Sequence, residues 1–237
     1  MPKEQLQEHA RRVAEHVTDT NARQAFFTLP CVVIDGTGIE IYKPGNHRQG
    51  KLLFCWFKKE TQVRFQLVCT TLGYTLHMTE LDIGHCSDDK ATDRSNVAKS
   101  FDKFYSFAPD EKAEAARLAS KRVGDGGTDL CKCIILGDQG YPDMIVWPGC
   151  DIMVTRSAED AESWARAKDK PYVRVSSGVS SVRSVIERIF GRLAQDCPFI
   201  TGPVFESQGP LVYKFIQIHT ARYNRMIALG QNLFVAE

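Results

Sequence analysis

Three acidic residues, Asp35, Asp138 and Glu187, carry the chemistry that stands out in this chain. Asp35 follows the apolar run Cys31–Val32–Val33–Ile34 and precedes Gly36, and Asp138 follows the run Leu130–Leu136 and Gly137. Each run reads as a buried strand that ends in a turn, and open α/β sheets bind ligands beyond the carboxyl ends of their strands. Two acids delivered there converge. Converging carboxylates repel one another unless a cation neutralises them, and hard oxygen donors select Mg²⁺ or Mn²⁺. Glu187 sits about 100° around a helix from Ile186, at the edge of that helix's buried stripe. Three acids on two strands and a facing helix can hold two cations ~4 Å apart and clamp the attacking and leaving oxygens of a phosphodiester. Taken singly, a Gly-Asp after a strand is a common turn and a Glu on a helix flank is a common surface charge. Only the set argues for metal-assisted phosphoryl transfer.

The elements that must position these acids follow from periodicity. Residues 3–27 read as a charged amphipathic helix with Leu6, Val13, Ala14 and Val17 on one face, stopped by Pro30. After the first strand, the segment 42–61 holds Pro44, Gly45, Asn46 and Gly50 among basic residues and reads as an exposed basic loop. Val63–Thr71 and Thr75–Leu81 form a hairpin about Leu72–Gly73–Tyr74. Val97, Phe101, Phe104 and Tyr105 share a helical face, and a second helix falls near 109–123. Asp151–Val154 is a brief strand, and 158–170 is polar. Ser176–Gln195 is the clearest helix, with Val179, Val182, Ile186, Ile189 and Leu193 on one stripe, and a last helix lies near 210–229. Hairpin strands followed by strand and helix in alternation predict an α/β fold with a mixed sheet flanked by helices.

Composition bounds the function class. The 237 residues are 43% hydrophobic and 25% charged, which are globular proportions and fit one large domain. With 30 basic and 29 acidic side chains the net charge is +1, so any surface for nucleic acid must be local. Lys58, Lys59 and Arg64, with Trp56 and Phe57, form the best such patch, suited to phosphate contacts and base stacking and equally to an ordinary charged loop. Arg188 and Arg192 flank Glu187 and offer contacts to a DNA backbone, while Arg183 and Glu187 are spaced to form a surface pair. The eight cysteines are scattered in apolar runs, as expected of reduced, buried thiols inside a cell; only Cys131 and Cys133 are close in sequence, without the second pair that a zinc site needs. No stretch approaches the ~20 apolar residues of a membrane span, and the N-terminus does not read as a signal peptide.

The sequence resembles the Harbinger/PIF group of DDE transposases and their domesticated nuclease relatives. The resemblance rests on Val33–Ile34–Asp35–Gly36–Thr37, Phe65–Gln66–Leu67–Val68–Cys69, Gly84–His85–Cys86–Ser87–Asp88, Leu136–Gly137–Asp138–Gln139–Gly140–Tyr141–Pro142 and Val185–Ile186–Glu187–Arg188–Ile189–Phe190–Gly191–Arg192–Leu193. These occur in the family's order and span 31–195. The resemblance implies an RNase H-like fold over 31–237 with 1–30 as a helical extension. It also implies a catalytic triad at Asp35, Asp138 and Glu187, and a further metal-site acid at Asp88, or at Asp89 or Asp93 if the loop shifts. It further implies DNA ends and target as substrate, nuclear location and a separate Myb-like DNA-binding partner; a homo-oligomer is also open. The chain departs from the family at Thr70, Gly38 and Asp82–Ile83, where an aspartate, a histidine and a Trp-Pro are usual. These departures leave open a domesticated, non-catalytic derivative that binds DNA or protein.

Overall fold

The computed structural model describes residue 11 and residues 31–94, 133–137, 150–156, 173–174, 177–231 and 233–234. Asp138, the helices expected over 3–27, at Val97 to Tyr105 and near 109–123, and the segment 158–170 lie outside the described residues, as do the side chains of Asp89 and Asp93. The fold is an α/β mixed sheet with flanking helices, of RNase H-like type. The chain divides into two compact units, 1–34 with 96–184, and 35–95 with 185–237.

In the first unit, the opening residues of strand β1 (Cys31–Glu40) pair in parallel with β6 (Cys133–Gly137), with Cys31 opposite Ile134, Val32 opposite Ile135 and Val33 opposite Leu136. β6 pairs in parallel with β7 (Cys150–Arg156), and β7 with β8 (Val173–Arg174). Cys31 through Ile34, Ile135 and Leu136 are wholly buried. Strands covered on both faces have no polar side to alternate with, which is why these read as continuous apolar runs.

The second unit is built around β3 (Glu60–Thr70), a hydrogen-bonded neighbour of β1. It pairs antiparallel with β2 (Phe54–Cys55), β5 (Asp82–Ile83) and β4 (Thr75–Met78) in turn along its length. The β3–β4 turn needs Gly73 at φ 85°, a conformation that favours glycine. Asn224 closes the outer edge of β4 by accepting from the Thr75 N–H and donating to its carbonyl, both at 2.7 Å, as a paired strand would.

The segment expected to be a basic loop contains a helix, α1 (His47–Leu53). Asn46 caps it, accepting from the backbone N–H groups of Arg48 and Gln49 at 2.9 and 3.4 Å. The Pro44–Gly45–Asn46 signal thus marks a helix start. A second short helix, α2 (Asp88–Arg94), follows β5.

Two longer helices cover the face of β3 that carries Val63 and Phe65. Helix α3 (Ser177–Asp196) brings Phe190 edge-on to Phe65 at 6.3 Å, and α4 (Gly209–Ala228) brings Tyr213 to the same ring at 5.8 Å. Val185, Ile186, Ile189 and Leu193 of α3 and Ile216 of α4 are fully buried. Val185 broadens the expected stripe by one position. Each such side chain contributes roughly 1.5–3 kcal/mol by leaving water.

Two glycines separate helix propensity from close packing. At Gly191, within α3, a Cβ meets nothing within 4 Å, so Gly191→Ala should raise stability to denaturant by about 0.5–1 kcal/mol. At Gly84 a Cβ would meet the Leu53 and Gln62 backbone carbonyls, which cannot rotate away. Gly84→Ala should therefore lower stability by about 2 kcal/mol or more in the same urea titration.

Candidate functional site

Asp35 is the fifth residue of a ten-residue strand, because β1 runs on to Glu40. The Asp35–Gly36 pair, expected to end the strand in a turn, lies within it. Neither Gly36 nor Gly38 has a positive φ. They are small because other side chains occupy the space beside them, the usual reason for glycine inside a strand. A Cβ at Gly36 would stand 2.5 Å from Asp88 Oδ1 and 3.1 Å from an Arg64 guanidinium nitrogen, and a Cβ at Gly38 would overlap the Gln62 carboxamide.

The half-buried Asp35 carboxylate accepts the Gly36 backbone N–H at 2.7 Å. Side chains alternate across a strand, so Asp35 shares a face with Thr37 and Ile39, and Gly36 shares the other with Gly38. Thr37 and Ile39 line a cavity of about 90 Å³ together with Phe65, Phe190 and Leu193. Helix α3 therefore lies on the Asp35 side of β1. Glu187 is exposed on that helix, between buried Ile186 and Ile189.

Asp88 belongs to the Gly36 side. It forms an ion pair with Arg64, and their side chains are only 22% and 12% exposed. Arg64 also donates to the Cys86 carbonyl at 2.8 Å. Gln66 donates to the Asp88 carbonyl at 2.8 Å, and the buried Thr92 hydroxyl lies 2.7 Å from that carbonyl and 2.9 Å from Gln66 Oε1. Arg64 and Gln66, two residues apart on β3, thus grip the start of α2. The Arg64 guanidinium, expected on a DNA-binding patch, is thus paired with Asp88, the acid that the resemblance adds to the metal site. The signal available in the sequence was the alternation of Gln62, Arg64 and Gln66 on one face of β3 opposite the spaced glycines.

The other basic residues divide. Lys58 and Lys59 are exposed at the β2–β3 turn. Half-buried Arg188 donates through Nε to the Phe234 carbonyl at 2.5 Å. Exposed Arg192 lies 3.4 Å from the Asp196 carboxylate one helical turn on. That carboxylate's pKa is lowered, first by the Tyr223 hydroxyl that donates to it at 2.8 Å, against the opposing effect of burial. Burial, followed by the charge of Asp82, pushes the Cys86 thiol up to about 11, so it stays protonated near neutrality. Cys31, Cys55, Cys69, Cys86 and Cys197 are buried, as the apolar runs predict.

The three departures from the resembled pattern have local roles. Buried Thr70 accepts from the Leu72 and Tyr74 N–H groups at 3.3 and 3.2 Å, tying the hairpin turn. Gly38 leaves room for Gln62. Asp82 accepts the Ile83 N–H at 2.7 Å and pairs with Arg94 at 3.0 Å.

Among the described residues no three His, Cys, Asp or Glu side chains stand together as a metal-ligand set, and Asp138 is not among those residues. No described helix is long and apolar enough to cross a membrane. The mixed sheet with flanking helices is of the RNase H-like class of folds. Residues 34–221 match the DDE superfamily endonuclease family, and the chain belongs to that family. No curated protein matches it.

Arg64→Ala should cost about 2 kcal/mol in urea unfolding, less than a fully buried pair because both side chains keep some solvent. Asp88→Asn, which keeps the shape, should cost less. Gly36→Ala should destabilise by about 1–3 kcal/mol, and its penalty should shrink by at least about 0.5 kcal/mol in the Arg64→Ala background, since the clash is with the pair itself.

Proposed function

We propose that this chain is a metal-dependent DNA endonuclease and transposase catalytic domain of Harbinger/PIF type, cleaving and transferring strands at transposon ends. Its acidic centre is Asp35, Asp138 and Glu187. The observation that carries the reading is the placement of Asp35 within β1, on the side of that strand covered by the helix that bears exposed Glu187. The family match over 34–221 includes all three acids.

The donor chemistry fits a hard divalent ion, because Asp35, Asp138 and Glu187 offer only carboxylate oxygens. These residues would hold Mg²⁺ or Mn²⁺, two ions on this reading, which when bound supply activation of the attacking water or DNA 3′-hydroxyl and stabilisation of the leaving oxygen. The chain's own contribution is position. The Gly36 N–H orients the Asp35 carboxylate, and the buried stripe of α3 fixes the helix that carries Glu187. The Arg64–Asp88 pair braces β1 from behind, so Asp88 acts as a positioning residue and Arg64 belongs to that brace. Lys58, Lys59, Arg188 and Arg192 supply local positive charge toward the DNA backbone, which a chain of net charge +1 needs. The proposal extends to a nuclear protein that acts with a Myb-like DNA-binding partner and as a homo-oligomer.

Purified protein with Mn²⁺ should cut duplexes carrying transposon ends, and Asp35→Ala, Asp138→Ala and Glu187→Ala should each reduce cutting to background without loss of fold or of duplex binding. Cutting that survives Asp138→Ala, or metal binding unchanged by it, would overturn the assignment. DNA binding without metal dependence or cleavage in the wild type would instead indicate a non-catalytic derivative.

A further inference from the structure

The β2–β3 turn presents two aromatic rings to water beside two lysines. Phe57 is 94% exposed and Trp56 70%, although adjacent Cys55 is buried. The turn is well defined. Phe54 pairs with Thr61 and Cys55 with Glu60, and the Lys59 N–H donates to the Cys55 carbonyl at 2.8 Å. Lys59 itself has φ 58°, a left-handed conformation uncommon outside glycine. Trp56 stands edge-on to Phe54, their centroids 5.1 Å apart and their planes at 86°. The rings are thus offered on a closed hairpin, whose backbone bond limits their freedom before anything binds.

We infer that this hairpin tip is a stacking site for unpaired DNA bases, with Trp56 and Phe57 taking the base faces and Lys58 and Lys59 the adjoining phosphates. The inference rests on the reading of the chain as an enzyme acting on DNA. Size and charge select this occupant over a protein. Two aromatic side chains bury about 150–250 Å² each, well short of the ~800 Å² per partner of a stable protein interface. Neighbouring bases present flat faces of matching size, stacking is tolerant of sequence, and the phosphates between them suit Lys58 and Lys59. Blunt duplex hides its base faces within its own stack. The tip therefore favours single strands or frayed ends.

The test is fluorescence anisotropy with the full chain, a labelled oligothymidine and a labelled blunt duplex, without divalent metal and in the Asp35→Ala background, so that the outcome is independent of catalysis. Trp56→Ala with Phe57→Ala should weaken oligothymidine binding about tenfold or more and change duplex binding little. Phe57→Leu keeps an apolar side chain without a stacking face and should also weaken the oligothymidine selectively, with thermal melting as a check on folding. Lys58→Ala with Lys59→Ala should lower the slope of log affinity against log salt by about 1.4, two contacts at roughly 0.7 each. Wild-type binding by both aromatic variants, or equal losses on oligothymidine and duplex, would overturn the inference. So would loss of self-association, rather than of DNA binding, when the tip is changed.

Discussion

The ion pair between Arg64 and Asp88 lies in space that only a glycine leaves open. Arg64 is anchored in β3, Asp88 begins α2, and the pair rests against Gly36 of β1, next to Asp35. Three elements distant in sequence are thereby held by one contact between opposite charges, which little water screens. Gln66 and Thr92 complete the grip through the Asp88 carbonyl. A larger residue at position 36 would push the pair away, and loss of either charge would leave the other half-buried without its partner.

This arrangement sorts the acids. Strand alternation sends Asp35 to the face covered by α3, where Glu187 is carried, and leaves Asp88 behind β1 with its arginine. A carboxylate beside a guanidinium already has its counter-charge. On the proposed reading the front of β1 does chemistry while the back holds it still. The positions that depart from the resembled family have local structural partners: Gly38 accommodates Gln62, Thr70 ties a turn, and Asp82 pairs with Arg94.

Much of the fold was legible in hydrophobic pattern. The apolar runs beginning at Cys31 and ending at Leu136 are parallel strands buried on both faces, the Leu72–Gly73–Tyr74 turn joins β3 and β4, and the two late helices begin and end within a residue of their expected limits. These features depend on local periodicity. The segment 42–61 misled because Pro, Gly and Asn mark loops and helix starts alike, and whether Asn46 caps a helix depends on whether the residues after it take up helical geometry.

The sequence by itself named residues whose types could do chemistry, through the acids flanked by apolar runs and glycines, and it placed the buried strands, the β3–β4 hairpin and the two late helices. The tertiary structure decided which way those residues face. Asp35–Gly36 has the same letters as a turn, and only the arrival of Asp88 and Arg64 from positions far along the chain shows that the glycine is there to make room. Arg64 and Lys59 are both basic residues near a hairpin, yet one is drawn inward by a carboxylate and the other stands at the exposed tip. Charge and residue type are local properties that a sequence carries. Partners, and the face on which they meet, come from contacts between distant segments, and these exist only once the chain has folded.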